Sequence, residues 1–143
     1  DTHITDMQLE QLGSDALRMM DTPSSIGDES DLVKWVKYQQ GNLFAQNFTS
    51  YIQSRATTTD TGLQFNATIC YRQKESTNIS CYPFANSTQP YSGRDPAVRV
   101  TRWVQVEWDN SASTPSIPPP PTQPGIDATR PQVVLLEVLI WRS

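Results

Sequence analysis

Histidine is almost absent from this chain: His3 is the single imidazole in 143 residues. A Ser-His or Cys-His nucleophilic mechanism therefore has no base to draw on beyond that one residue, close to the first position. Basic clusters are missing too. No two Lys or Arg residues stand side by side, and the net charge is −4. Nucleic-acid binding needs a basic stripe to displace counterions from phosphate, so that function class is excluded. There is no apolar run near the ~20 residues a membrane helix needs. The longest stretch, 133–140, is broken by Glu137. Phosphate-binding glycine loops, H-E-x-x-H and G-x-S-x-G are all absent. No cofactor is expected. Two cysteines and one distant histidine cannot complete a four-ligand zinc site, so no metal is expected either.

Charge is sparse at 18%, and mean hydropathy is −0.52, so much of the polar surface must come from Ser, Thr, Gln and Asn. That composition suits a protein working outside the cytoplasm. The length fits one domain, taken here as 1–143, with a helical part at 4–54 and a sheet part at 62–142. The chain opens on Asp1 and carries no export signal, so an N-terminal segment is expected ahead of it in the native gene.

Cys70 and Cys81 bracket a polar, turn-like stretch between two strand-like flanks. An even cysteine count at that spacing points to a disulfide across the arms of a hairpin. Four of the six asparagines, Asn47, Asn66, Asn78 and Asn86, lie in Asn-X-Ser/Thr sequons without proline. They are candidate glycosylation sites and should lie at the surface. With the disulfide they place the domain outside the cell or on its surface.

Residues 4–20 read as a helix, with Leu9, Leu12, Ala16 and Met19 on one face and Met20 beside them. Gly13 weakens that helix, and Asp21-Thr22-Pro23 ends it. A second helix is expected from Asp31 to about Gln40, capped by Ser30 or Asp28, with Trp35 on its core side and Gly41-Asn42 as its breaker. Leu43, Phe44, Phe48, Tyr51 and Ile52 then predict a short third helix ending at Ser54. After Gly62 the period becomes two. Leu63, Phe65, Ala67, Ile69 and Tyr71 form the apolar face of a strand whose polar face carries Asn66. A second arm is expected over 79–84 and a third strand over 97–108, where Val98, Val100, Val104, Val106 and Trp108 share a face interrupted by Arg102. The stretch 109–130 contains Pro118 to Pro121 and is expected to be a stiff connector. The last strand, 133–142, is largely apolar on both faces, so it is expected to be either central in the sheet or covered on its outer face. Helices first and strands second predict α+β, with the helices on one face of an antiparallel sheet of about four strands.

The acidic string from Asp28 to Asp31 lacks the alternating ligands and glycine of a calcium loop, so helix capping accounts for it better. Glu107 and Glu137 are the least implausible carboxylate pair for glycoside hydrolysis, although ion pairing with Arg99 or Arg102 explains them more simply. Trp103 is out of phase with the valines of its strand, and Trp141 lies on the second face of the last one. Both are candidates for a partner-facing surface, together with Leu9 and Leu12.

The string ITDMQLEQLGSDAL over 4–17 resembles the helix that follows the membrane segment in archaeal type IV pilin-like proteins. Asp21-Thr22-Pro23, GLQFNATICY over 62–71, AVRVTRWV over 97–104 and LIWR over 139–142 are similar to the same group. The resemblance implies an apolar anchoring helix upstream of Asp1, a soluble continuation laid on an antiparallel sheet, and other pilin-like subunits or surface proteins as partners. It implies no catalytic residues. The expected function is therefore a non-enzymatic surface or filament subunit. The alternative is a secreted ligand- or carbohydrate-binding module using Trp103, Trp108 or Trp141 as a stacking platform.

Overall fold

The computed structural model describes residues 5–55, 62–73, 77–87, 91, 93, 96–107 and 132–142. His3, Trp108 and the expected connector 109–130 lie outside them. The described elements are α1 (Asp6–Met20), α2 (Asp31–Lys37), α3 (Gly41–Arg55), β1 (Leu63–Arg72), β2 (Ile79–Asn86), β3 (Ala97–Val106) and β4 (Gln132–Arg142). The four strands form one antiparallel sheet in the order β2-β1-β4-β3, and the helices pack on one of its faces. The fold is α+β, helices first.

The expected helix over 4–20 begins at Asp6 because Thr5 is extended and caps it. The Thr5 hydroxyl accepts from the Gln8 amide, and the Gln8 side chain accepts from the Thr5 N–H. The stripe that α1 buries is rotated from the one its apolar residues suggest. Leu9, Gly13, Ala16, Leu17 and Met20 are buried, while Leu12 is half-buried and Met19 is exposed. Gly13 is the reason. A Cβ there would sit 2.6 Å from Ile140 Cδ1 and 3.2 Å from both Val100 methyls, so this glycine is where the helix comes closest to the sheet.

Of the two candidate caps of α2, Ser30 does the capping: its Oγ accepts from the Val33 N–H at 3.1 Å. The helix ends at Lys37, short of the expected Gln40, because Gln39 turns into the left-handed region at φ 57°. Gly41 therefore does not break α2 but starts α3, where it lies against the backbone of β2. Trp35 is in the core, as its helical phase predicts.

The inner sheet face is apolar along each strand. Phe65, Ala67 and Ile69 of β1 meet Leu136, Val138 and Ile140 of β4, and Val98, Val100, Val104 and Val106 of β3 complete the layer. Arg102 breaks this face and is accounted for. Its Nε donates to Asp21 Oδ2 at 2.7 Å, and Ser30 Oγ donates to Asp21 Oδ1 at 2.7 Å. One carboxylate at the end of α1 thus ties the start of α2 to the middle of β3.

On the β2 side, Tyr82 receives a hydrogen bond from Gln39 Nε2 at 2.9 Å, and its ring lies 6.2 Å from that of Tyr71. Burial raises the pKa of both phenols above the ordinary 10.0, against the opposing pull of Gln39 on Tyr82 and Ser80 on Tyr71. The fold favours the neutral phenols. Their contribution is thus complete below pH 10.0 and is lost as pH rises through the higher folded values. Alkaline unfolding should coincide with tyrosine ionisation followed by phenolate absorbance. Loss of that coincidence in Tyr82→Phe would identify the group.

Candidate contact surfaces and modification sites

Side chains alternate across a strand, so everything opposite the core face lies on one outer surface. Strand register arranges that surface in rows. One row runs Cys81, Cys70, Leu135, Trp103; the next runs Ile79, Arg72, Val133, Gln105. Trp103 is 67% exposed, Ile79 63% and Val133 52%, so this end of the outer face carries accessible apolar surface.

The two cysteines are bonded, with Cα atoms 4.0 Å apart, and no cysteine is free. They face each other directly across β1 and β2, the cross-strand arrangement expected of the hairpin. A disulfide of this kind marks a protein that matures in an oxidising compartment. Cutting it frees the β1–β2 hairpin in the unfolded chain. Reduction should lower stability by about 2–3 kcal/mol on the loop-entropy scale, read as a fall in the urea midpoint with reductant.

The candidate partner residues separate. Trp103 is at the surface. Trp141 is not: it is 2% exposed, with its ring 4.8 Å from that of Tyr91. Leu9 is 1% exposed in the core beneath α1, and Leu12 packs at the margin of that core. Trp141 and Leu9 are thus buried in the chain's own interior and not available to a partner while it is folded, whereas Leu12 is only partly covered. The phase of a strand residue tells which face it takes, but not whether a distant ring will cover it.

The four sequon asparagines are all at least partly accessible. Asn47 lies on α3, with its Nδ2 donating to the Leu43 carbonyl at 2.8 Å. Asn78 is exposed at the start of β2, just ahead of Ile79. Asn66 is half-buried on the outer face of β1, directly opposite the exposed Asn86 of β2. A cross-strand pair is about 5 Å apart, too close for two branched sugars, so Asn66 and Asn86 would compete for one glycan.

Glu137 lies on the outer face of β4 opposite Thr101, whereas Glu107 follows the end of β3 six residues further along. At about 3.3 Å per residue the two carboxylates are ~20 Å apart, far beyond the 5–9.5 Å that glycoside hydrolysis requires. Glu107 instead joins Asp21, Asp28 and Glu29 around a recess of about 290 Å³. A second, wider groove of about 790 Å³ runs between α3 and the β1–β2 edge, lined by uncharged amides and hydroxyls such as Gln46, Thr49, Gln53, Gln64 and Asn86. Among the described residues no group of three His, Cys, Asp or Glu could hold a metal ion. No helix among them is long and apolar enough to cross a membrane.

The Asp21–Arg102–Ser30 network joins residues too far apart in the chain for local patterns to pair them. Its signal was there: a lone arginine in a face of valines requires a buried or half-buried acid from elsewhere. Comparison with known protein families, with characterised proteins and with solved structures finds no match.

Proposed function

We propose that this chain is the extracytoplasmic domain of a pilin-like surface or filament subunit that acts by protein–protein assembly or adhesion and has no catalytic role. The observation that carries this reading is the placement of α1. The first described element lies on the sheet, and Asp6 at its start pairs with Arg142 at the end of β4 at 3.5 Å. An anchoring segment upstream of Asp1 would therefore leave the domain at the pole where β4 ends. The outer sheet face, with its disulfide and exposed Trp103, would stay free for neighbours. The sequence resemblance to archaeal type IV pilin-like proteins supports the same arrangement, and glycosylation at the sequons would suit a surface location.

The test is immunogold electron microscopy of native cells with antibody raised against the folded domain. Label along surface filaments or at the envelope is expected. Label confined to secreted, unassembled protein would overturn the reading. Exposed Trp103 favours the second reading, a carbohydrate-binding module, but Trp141 is buried, which leaves that platform with one described ring. A glycan array on which the wild type binds and Trp103→Ala does not would promote it over the first.

A further inference from the structure

The sheet ends in two edges that are built differently. Their difference follows from which backbone groups point outward. In antiparallel sheets the closely spaced pairs exchange no hydrogen bonds. Cys70 and Cys81, at 4.0 Å, are such a pair. Gln73, three residues on, donates to the Asn78 carbonyl, as the alternation requires. The N–H and C=O of Cys70 therefore point to Leu135, those of Leu135 point back, and Trp103 is left with both groups directed away from β4. The same holds for the other odd-numbered residues of β3.

On β2 the corresponding outward position is held by Pro83, which has no N–H, and the strand is bulged where the β1 register shifts between Ala67 and Thr68. Proline and a bulge are the usual means of blunting an edge. The β3 edge has neither. Its register with β4 is unbroken over ten residues from Ala97 to Val106, and Arg99, Thr101, Trp103, Gln105 and Glu107 along it are all exposed.

We infer that β3 pairs with β3 of a second copy of this chain, antiparallel about a two-fold axis at Trp103, to give a continuous eight-stranded sheet. The strand is self-complementary in this register. Trp103 meets Trp103 of the second copy, Thr101 meets Gln105, and Arg99 meets Glu107, twice by symmetry. These are the odd-numbered residues, the ones with free backbone groups. Moving the axis to Arg102 sets that arginine against itself. Moving it to Val104 sets Glu107 against Thr101 and leaves Arg99 with no described residue opposite, so among the described residues only the axis at Trp103, with Glu107 just beyond the end of β3, pairs the two charges. The pairing stands independently of the filament reading, because an isologous contact closes on two copies and does not by itself propagate.

Sedimentation equilibrium of the full chain tests it. The wild type should move from one to two times 16.1 kDa with a dissociation constant on the order of 10 µM. Thr101→Pro removes an outward N–H that β4 does not use, and should give a folded monomer. Arg99→Glu or Glu107→Arg alone should weaken association roughly 10- to 100-fold, and the double exchange should restore it. Circular dichroism checks the fold of each variant, and if Thr101→Pro unfolds, the charge exchange decides. A wild type that stays monomeric to about 1 mM overturns the inference. So does a dimer that Thr101→Pro leaves intact in folded form, or a charge exchange that fails to restore pairing.

Discussion

Phe44→Ala should lower the stability of this protein by about 3–5 kcal/mol, a large share of the 5–15 kcal/mol that holds a typical domain together. Phe44 is fully buried on α3. Its ring stacks on Phe48 at 5.4 Å and meets the rings of Trp35, Phe65 and Phe84 at 6.5, 6.1 and 5.5 Å. Those partners come from α2, α3, β1 and β2, so one side chain joins the helical layer to the β1–β2 side of the sheet. Truncation removes transfer energy and leaves a cavity bounded by rings fixed on four elements, which collapse poorly onto it. Urea unfolding with an unchanged slope and a lowered midpoint would report this. Trp103→Ala is the matched control. It removes a larger ring from an exposed position and should change the monomer's stability by no more than about 0.5 kcal/mol. If the two variants lose similar stability, the core is not organised around Phe44.

What could be read from the sequence was local. Period-two alternation located β1 and set Asn66 and Cys70 on the face opposite Phe65 and Ile69, where the structure has them. The cysteine spacing located the hairpin and its disulfide, and Ser30 was recognisable as a cap because capping is a matter of neighbouring residues. What could not be read depended on partners far along the chain. Trp141 is buried by Tyr91, fifty residues before it. Arg102 is held by Asp21, and the strand order β2-β1-β4-β3 leaves β3, not β4, as the open edge. Both-sided apolarity fits the central place of β4, which is hydrogen-bonded along its two edges to β1 and β3. The candidate surface was legible only at Trp103. Its phase against the valines was informative because no described element covers Trp103, which is 67% exposed.

Glycine disfavours helix interiors, yet at Gly13 of α1 and Gly41 of α3 the structure gives it a role. The two roles predict different costs. At Gly13 an added Cβ would press on the Val100 methyls, which need give only a few tenths of an ångström, and on Ile140 Cδ1, which must move further but is the far end of a flexible side chain. Alanine there also gains up to about 1 kcal/mol of helix propensity, so Gly13→Ala should cost about 1 kcal/mol or less. At Gly41 the added Cβ would lie 2.0 Å from the Phe84 carbonyl oxygen and 3.1 Å from its carbon. That obstacle is backbone, and it belongs to a strand held in register by β1. Relief requires the start of α3 to back away from β2, which pulls Phe44 out from under Phe84 and loosens the same aromatic cluster. Gly41→Ala should therefore cost about 3 kcal/mol or more, at the upper end of overpacking. It should not add in full to Phe44→Ala, because the two act on one interface. Equal midpoints for Gly13→Ala and Gly41→Ala in urea would show that α3 does not approach β2 backbone to backbone. A coupling energy near zero in the Gly41→Ala/Phe44→Ala cycle would show that the close approach does not serve to seat the ring.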